Sequence, residues 1–455
     1  MNIEKLRKIV GEDWVITKRE QMENYLVDET VLAVRPKPAD NVIVVKPGSN
    51  QEISAIVKLA NNEKTPIFIR GGGTGLCGGA IPTIDGIVIS MERLDKIEQL
   101  DEENLMIVAE AGVTLEAMLK AVEGAGMFFP PHPGDEGAQL GGLVACNAGG
   151  ARAIKYGVFR NYVKGLEAVL PTGEIIRVGG KLLKNNLGLD LLHLLINSEG
   201  ILGVITKVIL RLYPRPASSA TLLISYGTRR DAMNSVAKIL QSGVIPLAIE
   251  YVDRDLIETS ARYLNMKWPM TTGQAHLMVI LTGANDDEVY LQGAKVSNVC
   301  ERCDAVDILI AERREEQAEI LKIRSEIHSA EKNKRADVLD ITVPPASVGV
   351  IMDKIDEIAR RFNTTIPVFG HVGDGNLHHS LLNDLQDRGL VRQVKREIYQ
   401  EVIKLGGSIT GEHGVGVVRI PELDLCPDGK AWDLMKGIKR VFDPNNILNP
   451  GVGLP

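Results

Sequence analysis

The chain has 455 residues, of which 44% are hydrophobic and 24% charged, and its formal net charge is −7. This composition excludes a fibrous or disordered chain, because enough apolar surface is present to offset the entropy of ordering. The acidic balance argues against a nucleic-acid or anionic-membrane protein, since both need a basic surface. Glycine is abundant, with 45 residues, whereas aromatic residues make up only 4%. Where these glycines lie is therefore the first guide to function.

The sequence predicts a cytoplasmic protein without integral membrane association. The amino-terminal segment MNIEKLRKIVGEDW carries charges throughout and lacks the apolar core of a signal peptide. No run of about 18 uninterrupted apolar residues is present, so no membrane-spanning helix is expected. Five cysteines, an odd number, fit a reducing compartment better than a disulfide framework.

Residues 42–90 are predicted to form a strand–helix–strand unit that ends in a glycine-rich loop. Ser49 and Glu52 have the spacing of a capping box, which opens a predicted helix over about 51–61. The next strand leads into RGGGTGLCGGA at 70–80. Such a loop frees several backbone N–H groups to approach one anion, as a phosphate group requires.

Part of this loop, from Gly73 to Gly78, matches the G-x-G-x-x-G pattern of nicotinamide-binding Rossmann folds. That pattern requires a helix directly after the loop, so that the helix amino terminus faces the pyrophosphate. Pro82 and a predicted turn at Gly86 leave no room for such a helix. We therefore favour a phosphate-binding loop of another type. A Rossmann site and a purely structural glycine turn are the alternatives.

Further glycine-rich loops follow between predicted strands over about 105–213. They contain Gly141 and Gly142, the segment 147–150, and the segment 197–206. Small residues in several separate loops indicate one extended ligand that lies along the backbone, and a dinucleotide is long enough for this role. Pro214 and Pro216 then mark a predicted domain boundary.

The chain after this boundary has an α+β pattern. Two β-α-β units, with helices over 229–242 and about 285–303, predict a ferredoxin-like antiparallel sheet with helices on one face. A charged amphipathic helix is predicted over 311–332 and a last helix near 389–405. The predicted division is a ligand-binding domain over 1–214, a substrate domain over 215–410, and a carboxy-terminal segment over 411–455 that returns to the first domain and the active site.

Four of the eight histidines lie in two short motifs, HVGDGNLHH and GEHGVG. In one continuous strand, His371 and His378 would point to opposite faces. The predicted turn over 373–376 reverses the chain, so both imidazoles can converge on one point. Together with Glu412, they have the composition of a catalytic metal site with an open position. The alternative is that these histidines only pack against and cap a glycine-rich hairpin.

Seven motifs occur in the order found in one group of flavoproteins: RGGGTGLCGGA, LGGLVACNAGG, KYGVFRNYVKGLEAVLPTGE, NSEGILGVITKVIL, FGHVGDGNLH, TGEHGVG and FDPNNILNPG. On these motifs the chain resembles the FAD-linked D-2-hydroxyacid dehydrogenases, and the resemblance covers nearly the whole chain, from about 20 to 452. This group includes D-lactate dehydrogenase, the glycolate oxidase FAD subunit and D-2-hydroxyglutarate dehydrogenase. The resemblance implies an α+β fold in which a two-part FAD-binding domain of the vanillyl-alcohol oxidase type carries a ferredoxin-like substrate (cap) domain.

The resemblance also implies which residues hold FAD. The loop at 71–75 would bind the pyrophosphate, the loop at 141–149 the middle of the cofactor, and the segment at 199–205 its remaining wall, while the tail would return to the flavin ring. The implied set is Arg70, Gly71, Gly72, Gly73, Thr74, Gly75, Gly78, Pro131, Gly141, Gly142, Asn147, Gly149, Glu199, Gly203, Val204, Ile205 and Asn449.

By the same resemblance, His371, His378 and Glu412 would bind a divalent metal, which could be Zn²⁺, Fe²⁺ or Mn²⁺. His413 would be the general base, and Arg324 would bind the substrate carboxylate. From the sequence alone, Arg324 would be read as an exposed arginine of a charged helix. The implied chemistry is coherent, because a bound metal lowers the pKa of a substrate hydroxyl, an imidazole takes its proton, and flavin accepts the hydride.

One departure from the family pattern bears on the substrate. Relatives that act on D-2-hydroxyglutarate carry a lysine two residues before the aspartate of the strand that follows the arginine helix. Here Val338 stands at that place, before Asp340. We therefore expect a monocarboxylate, with D-lactate favoured or glycolate, although Lys332, Lys334 or Arg335 could substitute for the lysine. D-2-hydroxyglutarate dehydrogenase activity and a non-enzymatic metal-binding subunit are the alternatives.

The reduced flavin needs an electron acceptor. The chain has no C-x-x-C-x-x-C run, so no iron–sulfur cluster is expected on it. We expect a separate soluble partner, either an electron-transferring flavoprotein, which we favour, or an iron–sulfur subunit.

Overall fold

The computed structural model describes residues 2–454, and four β-sheets organise these residues. The strands up to residue 214 are β1 (Val15–Ile16), β2 (Val42–Val45), β3 (Ile67–Arg70), β4 (Gly86–Ser90), β5 (Ile97–Asp101), β6 (Met106–Glu110), β7 (Met127–Phe128), β8 (Val163–Val169), β9 (Ile175–Gly179), β10 (Val204–Arg211) and β11 (Tyr213–Pro214). The helices of this part are α1 (Ile3–Val10), α2 (Arg19–Met22), α3 (Asn50–Glu63), α4 (Leu115–Gly124), α5 (Leu140–Ala145), α6 (Ala153–Tyr156) and α7 (Leu191–Leu195).

Three of the sheets belong to this first part. One has the order β1-β2-β4-β3, with β2, β4 and β3 parallel. The second is antiparallel with the order β5-β6-β10-β8-β9, and β7 pairs with β11 in the third. A large hydrophobic core with residues from the first two sheets and from α3, α4 and α5 lies beneath the glycine-rich loops.

The helix α3 begins where the sequence predicts. The Ser49 hydroxyl accepts a hydrogen bond from the Glu52 N–H at 3.2 Å, and the Glu52 carboxylate accepts one from the Gly48 N–H at 2.7 Å. These contacts satisfy amide groups that have no partner within the helix. The glycine-rich loop after β3 then continues into β4 without a helix. The geometry that a Rossmann fingerprint requires is therefore absent from this part of the described chain.

The remaining strands form one seven-stranded antiparallel sheet. They are β12 (Ser218–Tyr226), β13 (Ala248–Asp253), β14 (Ala275–Gly283), β15 (Ala305–Ala311), β16 (Arg335–Thr342), β17 (Val368–Gly370) and β18 (Asn376–Leu382). The helices are α8 (Arg229–Gln241), α9 (Arg254–Tyr263), α10 (Asp286–Glu301), α11 (Arg314–Ser325), α12 (Ile327–Glu331), α13 (Val348–Arg361), α14 (Asn383–Asp387), α15 (Val391–Lys404) and α16 (Gly429–Phe442).

The order of this sheet is β15-β12-β14-β13-β17-β18-β16. Its first four strands have the ferredoxin-like arrangement that the sequence predicts, and the three added strands extend it beyond β13. The prediction of helices on one face is wrong. Helices α8, α10, α13 and α15 cover one face, whereas α9, α11 and α12 cover the other. The second layer exists because α9, inserted between β13 and β14, and the segment after β15 carry apolar stripes of their own.

The charged helix predicted over 311–332 is broken in two. Its first part, α11, ends at Ser325, and α12 begins at Ile327 after a non-helical turn at Glu326. The apolar residues Ile320, Ile323 and Ile327 pack into the core on the second face of the large sheet. The apolar residues on both sides of the break therefore contact the same core.

The tail after α16 returns to the first part of the molecule. The Ile67 N–H donates to the Ile447 carbonyl at 2.7 Å, and the Asn449 N–H donates to the Ile67 carbonyl at 2.8 Å. The tail thus lies beside β3, at the base of the first glycine-rich loop. No helix within residues 2–454 is both long and apolar enough to cross a membrane.

Candidate active site

A cavity of about 1350 Å³ is lined by the glycine-rich loops and by the second face of the large sheet. Cavities that bind small ligands commonly have about 300–1,000 Å³, so this cavity has room for a dinucleotide and a small substrate. Its wall contains these residues predicted from the sequence: Gly71, Gly72, Gly73, Thr74, Gly75, Gly141, Gly142, Gly149, Glu199, Gly203, Ile205, Arg324, His371, His378, Glu412, His413 and Asn449.

Five residues predicted to bind the cofactor do not line the cavity: Arg70, Gly78, Pro131, Asn147 and Val204. Three of them make hydrogen bonds to neighbouring segments of the protein. The Arg70 guanidinium donates to the Val27 carbonyl at 2.6 Å, and the Gly78 N–H donates to the Thr30 hydroxyl at 2.7 Å. Asn147 adopts a left-handed conformation, with φ of 49°, and its side-chain oxygen accepts a hydrogen bond from the Arg160 N–H.

Two glycines of the wall permit close approaches that a larger residue would block. A Cβ at Gly72 would lie 2.6 Å from the Gly137 carbonyl oxygen, and one at Gly149 would lie 2.4 Å from a carboxylate oxygen of Glu412. Distances this short are not tolerated between non-bonded atoms. Gly72 therefore lets two loops of the cofactor cavity meet, and Gly149 leaves space for the Glu412 side chain.

The two histidines of the HVGDGNLHH motif converge as the sequence predicts. β17 and β18 are antiparallel, with Phe369 opposite His378, and the turn after β17 brings His371 back towards the same place. The imidazole centroids lie 5.4 Å apart. Glu412 approaches both rings, with its Oε1 atom 3.3 Å from Nε2 of His371 and 3.4 Å from Nε2 of His378. Two imidazole nitrogens and one carboxylate oxygen thus face a common point.

A second, overlapping group of potential metal ligands consists of Asp340, His378, Glu412 and His413, whose ligand atoms lie within 4.8 Å of one another. The Asp340 carboxylate is already engaged, because its Oδ2 atom accepts hydrogen bonds from the N–H groups of Gly411, Glu412 and His413 at 2.8–2.9 Å. Asp340 is therefore less available as a ligand than the three candidate ligands predicted from the sequence, His371, His378 and Glu412. Asp340 instead fixes the backbone of the loop that carries Glu412 and His413.

Buried opposite charges surround this set. Burial opposes the charged form of Glu412, but His371 and His378 hold the pKa of its carboxyl well below the ordinary value. Burial also opposes ionisation of Asp340, yet His413 and His378 lower its pKa to about 2. Both carboxyl groups are therefore anionic at neutral pH, as a cation site requires.

Glu250 holds two of the predicted residues in place. Its carboxylate lies 2.6 Å from Nδ1 of His371 and, through the other oxygen, 2.6 Å from a terminal nitrogen of Arg324. Burial disfavours the anion, but His371 and Arg324 hold the pKa of Glu250 below its ordinary value. A carboxylate on Nδ1 orients the ring so that Nε2 faces the common point, as is usual for metal-binding histidines.

His413 lies beside the three candidate ligands. Its ring stacks on that of His378, with the centroids 5.0 Å apart and the planes inclined by 5°. Burial lowers the pKa of His413 below 6.5, so the ring is neutral at neutral pH and can accept a proton. Its Nε2 atom is 4.0 Å from Oε1 of Glu412. The ring is therefore adjacent to the point at which a bound metal would hold a substrate.

Glu199 and Asn449 join the loops of the site. The Glu199 carboxylate accepts hydrogen bonds from the N–H groups of Val415 and Gly416, at 2.9 and 2.8 Å. The Asn449 side chain donates to the Glu199 carbonyl at 2.7 Å and accepts from the Ile69 N–H at 2.9 Å. These contacts connect the histidine-bearing loop, the tail and the strand before the first glycine-rich loop.

Sequence reasoning missed the supporting roles of Glu250 and Asp340. Both stand in apolar strand sequences, PLAIEYV and VLDITVP, where a single buried carboxylate calls for a charged or hydrogen-bonding partner. That signal was available, but the partners lie 121 and 71–73 residues away in the chain. Only the fold brings them together.

Comparison with known proteins agrees with this geometry. Residues 42–179 match the FAD binding domain model, and residues 215–452 match the model of FAD linked oxidases, C-terminal domain. The second match covers more than half of the chain. The chain belongs to the FAD-linked oxidase family.

This FAD-linked oxidase is similar over most of its length to enzymes that act on 2-hydroxy acids. It is 41% identical to the D-lactate dehydrogenase of Archaeoglobus fulgidus, over 94% of each chain. It is 38% identical to the glycolate oxidase subunit GlcD of Bacillus subtilis, over 90% of this chain and 88% of the relative. The protein is therefore an oxidoreductase of the D-lactate, glycolate and D-2-hydroxyglutarate dehydrogenase group, and FAD is its supported cofactor.

The fold of the FAD-linked oxidase is also found among solved structures. The 4-ethylphenol oxidase of Gulosibacter chungangensis superposes with a TM-score of 0.80, over 99% of this chain and 96% of that chain, at 18% sequence identity. This likeness establishes the vanillyl-alcohol oxidase type of fold.

Proposed function

We propose that this enzyme oxidises a D-2-hydroxy monocarboxylate, D-lactate rather than glycolate, to the 2-oxo acid with the assistance of a divalent metal. The observation that carries the proposal is the convergence of His371, His378 and Glu412 beside the neutral ring of His413, in the wall of the glycine-lined cavity. Two imidazoles and one carboxylate can hold a metal that acidifies the hydroxyl of a 2-hydroxy acid, and the adjacent base can take its proton.

The residues fit a divalent cation. The three proposed ligands offer two Nε2 atoms and one carboxylate oxygen, and the ionised state of Glu412 suits them to a cation. This donor set is compatible with Zn²⁺, Fe²⁺ or Mn²⁺. A cation held by these residues would supply polarisation of the substrate hydroxyl, and FAD in the glycine-lined cavity would supply the hydride acceptor.

The protein itself positions the substrate and moves one proton. His413 accepts the hydroxyl proton, because burial keeps the ring neutral and able to act as a base. Asp340 holds the loop of His413 through three backbone hydrogen bonds, so the ring need not reorganise during the reaction. Arg324 lies in the same wall and provides a cation for the substrate end of the cavity.

Val338 stands where relatives that act on D-2-hydroxyglutarate carry a lysine, and its uncharged side chain supports a monocarboxylate as the substrate. Val338 is buried in β16 and does not line the cavity described here. Of the three candidate substitutes, Lys332 pairs with Glu29, Lys334 pairs with Glu331, and Arg335 does not line the cavity. The cavity wall includes the apolar residues Leu247, Met278 and Ile280. A small methyl group fits such a wall better than a second carboxylate does.

We further propose that the reduced flavin delivers its electrons to a soluble electron-transferring flavoprotein in the cytoplasm. All five cysteines are free, which supports a reducing compartment and gives no cluster-binding set. A full catalytic rate with O₂ as the only acceptor would contradict this part of the proposal.

The substrate proposal is tested by steady-state rates with an artificial electron acceptor. Relative kcat/KM values are measured for D-lactate, glycolate and D-2-hydroxyglutarate, and D-lactate is expected to give the highest value. A higher value for D-2-hydroxyglutarate would overturn the proposal. The variant His413→Ala should keep the yellow colour of bound FAD but lose turnover, whereas loss of FAD would make His413 a structural residue.

A further inference from the structure

A group of exposed aliphatic side chains lies on α7, on the loop before it and on α16, outside the cavity. Leu187 and Leu189 of the loop are 91% and 88% exposed. Single exposed leucines are ordinary on a protein surface, but a contiguous patch of them marks an interaction site. We call this group the leucine face. Its members are Leu182, Leu183, Leu187, Leu189, Leu191, Leu194, Leu434, Met435 and Val441.

The two helices of the leucine face meet over one small core. Leu195 of α7 is buried there, and Ile438 and Phe442 of α16 pack against the same cluster. Leu434 and Val441 are seven residues apart and therefore lie on the side of α16 that also carries Ile438. The exposed side chains of both helices thus border the same core and form one patch.

This core also forms the back of the cavity wall. It contains Ile201 and Leu202, while the adjacent Gly200 and Gly203 line the cavity. Lys439 of α16 donates a hydrogen bond to the Ile201 carbonyl at 2.9 Å, which ties the helix to this wall. One layer of side chains therefore separates the leucine face from the cavity that the proposed function assigns to FAD. Because electron transfer slows exponentially with distance, a thin wall favours exchange with a docked carrier.

The two segments that carry most of the leucine face are basic, although the whole chain has a net charge of −7. The loop over 181–190 and α16 contain two carboxylates, and one of them, Asp190, already lies 2.7 Å from His193. Of their six cations, two pair with carboxylates outside these segments. The other four form no ion pair within residues 2–454; they are Lys184, Lys430, Lys436 and Arg440. An apolar and basic surface complements an apolar patch within an acidic surface.

Two other occupants fit this surface less well. A second copy of the chain would bring the same cations face to face, because a two-fold interface joins identical surfaces. An anionic bilayer would attract the leucine face, but the negative charge of the remaining surface opposes the approach. A separate acidic protein meets only the basic segments and avoids both costs.

We propose that the leucine face docks the electron carrier, an acidic soluble protein that presents an apolar patch of its own. This inference rests on the proposed function, because it names the surface through which the reduced flavin passes its electrons on. The aliphatic side chains supply the buried contact area. The four unpaired cations steer the carrier and fix its orientation.

The test measures the reduction of a purified electron-transferring flavoprotein, taken from the organism that encodes this chain, with D-lactate as the electron donor. One variant combines Leu187→Ser with Leu189→Ser and removes the two most exposed leucines of the face. The other combines Lys436→Glu with Arg440→Glu and reverses two of the unpaired charges. All four side chains lie outside the proposed catalytic and cofactor-binding sets.

The matched control combines Tyr290→Ser with Leu291→Ser. These residues are 72% and 63% exposed, but they lie on α10, which covers the large sheet. Ferricyanide, a small acceptor that needs no docking surface, reports turnover at the active site separately. Retention of FAD is checked by the visible spectrum of each variant.

Replacing the two leucines should raise the KM for the carrier about 10-fold, as truncation of central interface side chains commonly does. The charge reversal should also raise this KM and should remove most of its dependence on ionic strength, because the steering charges are lost. Flavin reduction by D-lactate and the rate with ferricyanide should match the wild type in both variants. The control should keep the wild-type KM for the carrier.

A wild-type KM for the carrier in the leucine variant would overturn the inference while the proposed oxidation of D-lactate stands. If that variant does not retain FAD, the charge reversal decides in its place. Binding of the wild type to vesicles of phosphatidylglycerol and phosphatidylethanolamine, lost with the leucines, would overturn the inference in favour of a membrane. A dimer that the same replacement converts to a monomer would overturn it in favour of a second copy. If D-lactate bleaches the wild-type flavin but the carrier stays oxidised, the proposed partner and this inference both fail.

Discussion

Replacing Asp340 by asparagine tests how the loop of Glu412 and His413 is held. The carboxylate is 0% exposed, and its Oδ2 atom accepts three backbone hydrogen bonds, from Gly411 at 2.9 Å and from Glu412 and His413 at 2.8 Å. Asparagine has nearly the same shape and keeps one acceptor oxygen but removes the charge. The variant therefore separates the electrostatic contribution from the packing of the side chain.

The expected magnitude follows from these contacts. Hydrogen bonds to a charged group stabilise by about 1.5–3 kcal/mol each, against about 1 kcal/mol for neutral pairs. Because three bonds share one oxygen and are not independent, we expect Asp340→Asn to lower the free energy of unfolding by about 2–4 kcal/mol. The loop also orients the proposed ligand and base, and loss of such support commonly costs about 10- to 100-fold in metal affinity or activity.

The assays are thermal unfolding, metal retention against a chelator, and stopped-flow flavin reduction by D-lactate. Asp253→Asn is the matched control, because Asp253 accepts a hydrogen bond from the Val368 N–H and pairs with Arg229 but does not line the cavity. The control should lose stability without losing the flavin-reduction rate at saturating metal. Wild-type metal retention and rate in Asp340→Asn would refute the reasoning.

Three further results are expected. Gly149→Ala should weaken metal retention while FAD stays bound, because the new Cβ would lie 2.4 Å from a carboxylate oxygen of Glu412. Metal content is measured by elemental analysis after dialysis, and a content equal to that of the wild type would contradict this prediction. Chelation with dipicolinate should abolish flavin reduction by D-lactate and leave the visible spectrum intact, and added Zn²⁺, Mn²⁺ or Fe²⁺ should restore it; activity of the metal-free protein would oppose metal assistance. Because burial lowers the pKa of His413 and the neutral ring is the base, the flavin-reduction rate should fall at acid pH with its half-maximal point below pH 6.5, whereas a half-maximal point above pH 6.5 would assign the base elsewhere.

Much of the site could be predicted from the sequence because its signals are local. The turn between β17 and β18 brings His371 and His378 together from within one motif. The glycine-rich loops can be recognised in the sequence by their glycine content. The strand order of the first half of the large sheet also follows from the repeated β-α-β pattern. In each case the information lies within a few tens of residues.

The rest depends on packing between distant segments. Glu250 meets His371 across 121 residues, and the carboxylate of Asp340 meets the backbone of the loop at 411–413 only because that loop lies along β16. The pairing of His328 with Arg335 depends on the break between α11 and α12, which the helical periodicity of the charged segment conceals. Helices on both faces of the large sheet likewise arise from the insertion of α9, whose partners lie far along the chain.

The most direct test of the central claim is the visible spectrum of the purified protein under anaerobic conditions. The oxidised protein should show the absorbance of bound flavin, and D-lactate should bleach it without any added carrier. L-lactate should leave the spectrum unchanged, because the proposed substrate has the D configuration. Absence of bleaching by D-lactate and by glycolate, or direct reduction of NAD by a colourless protein, would contradict the account.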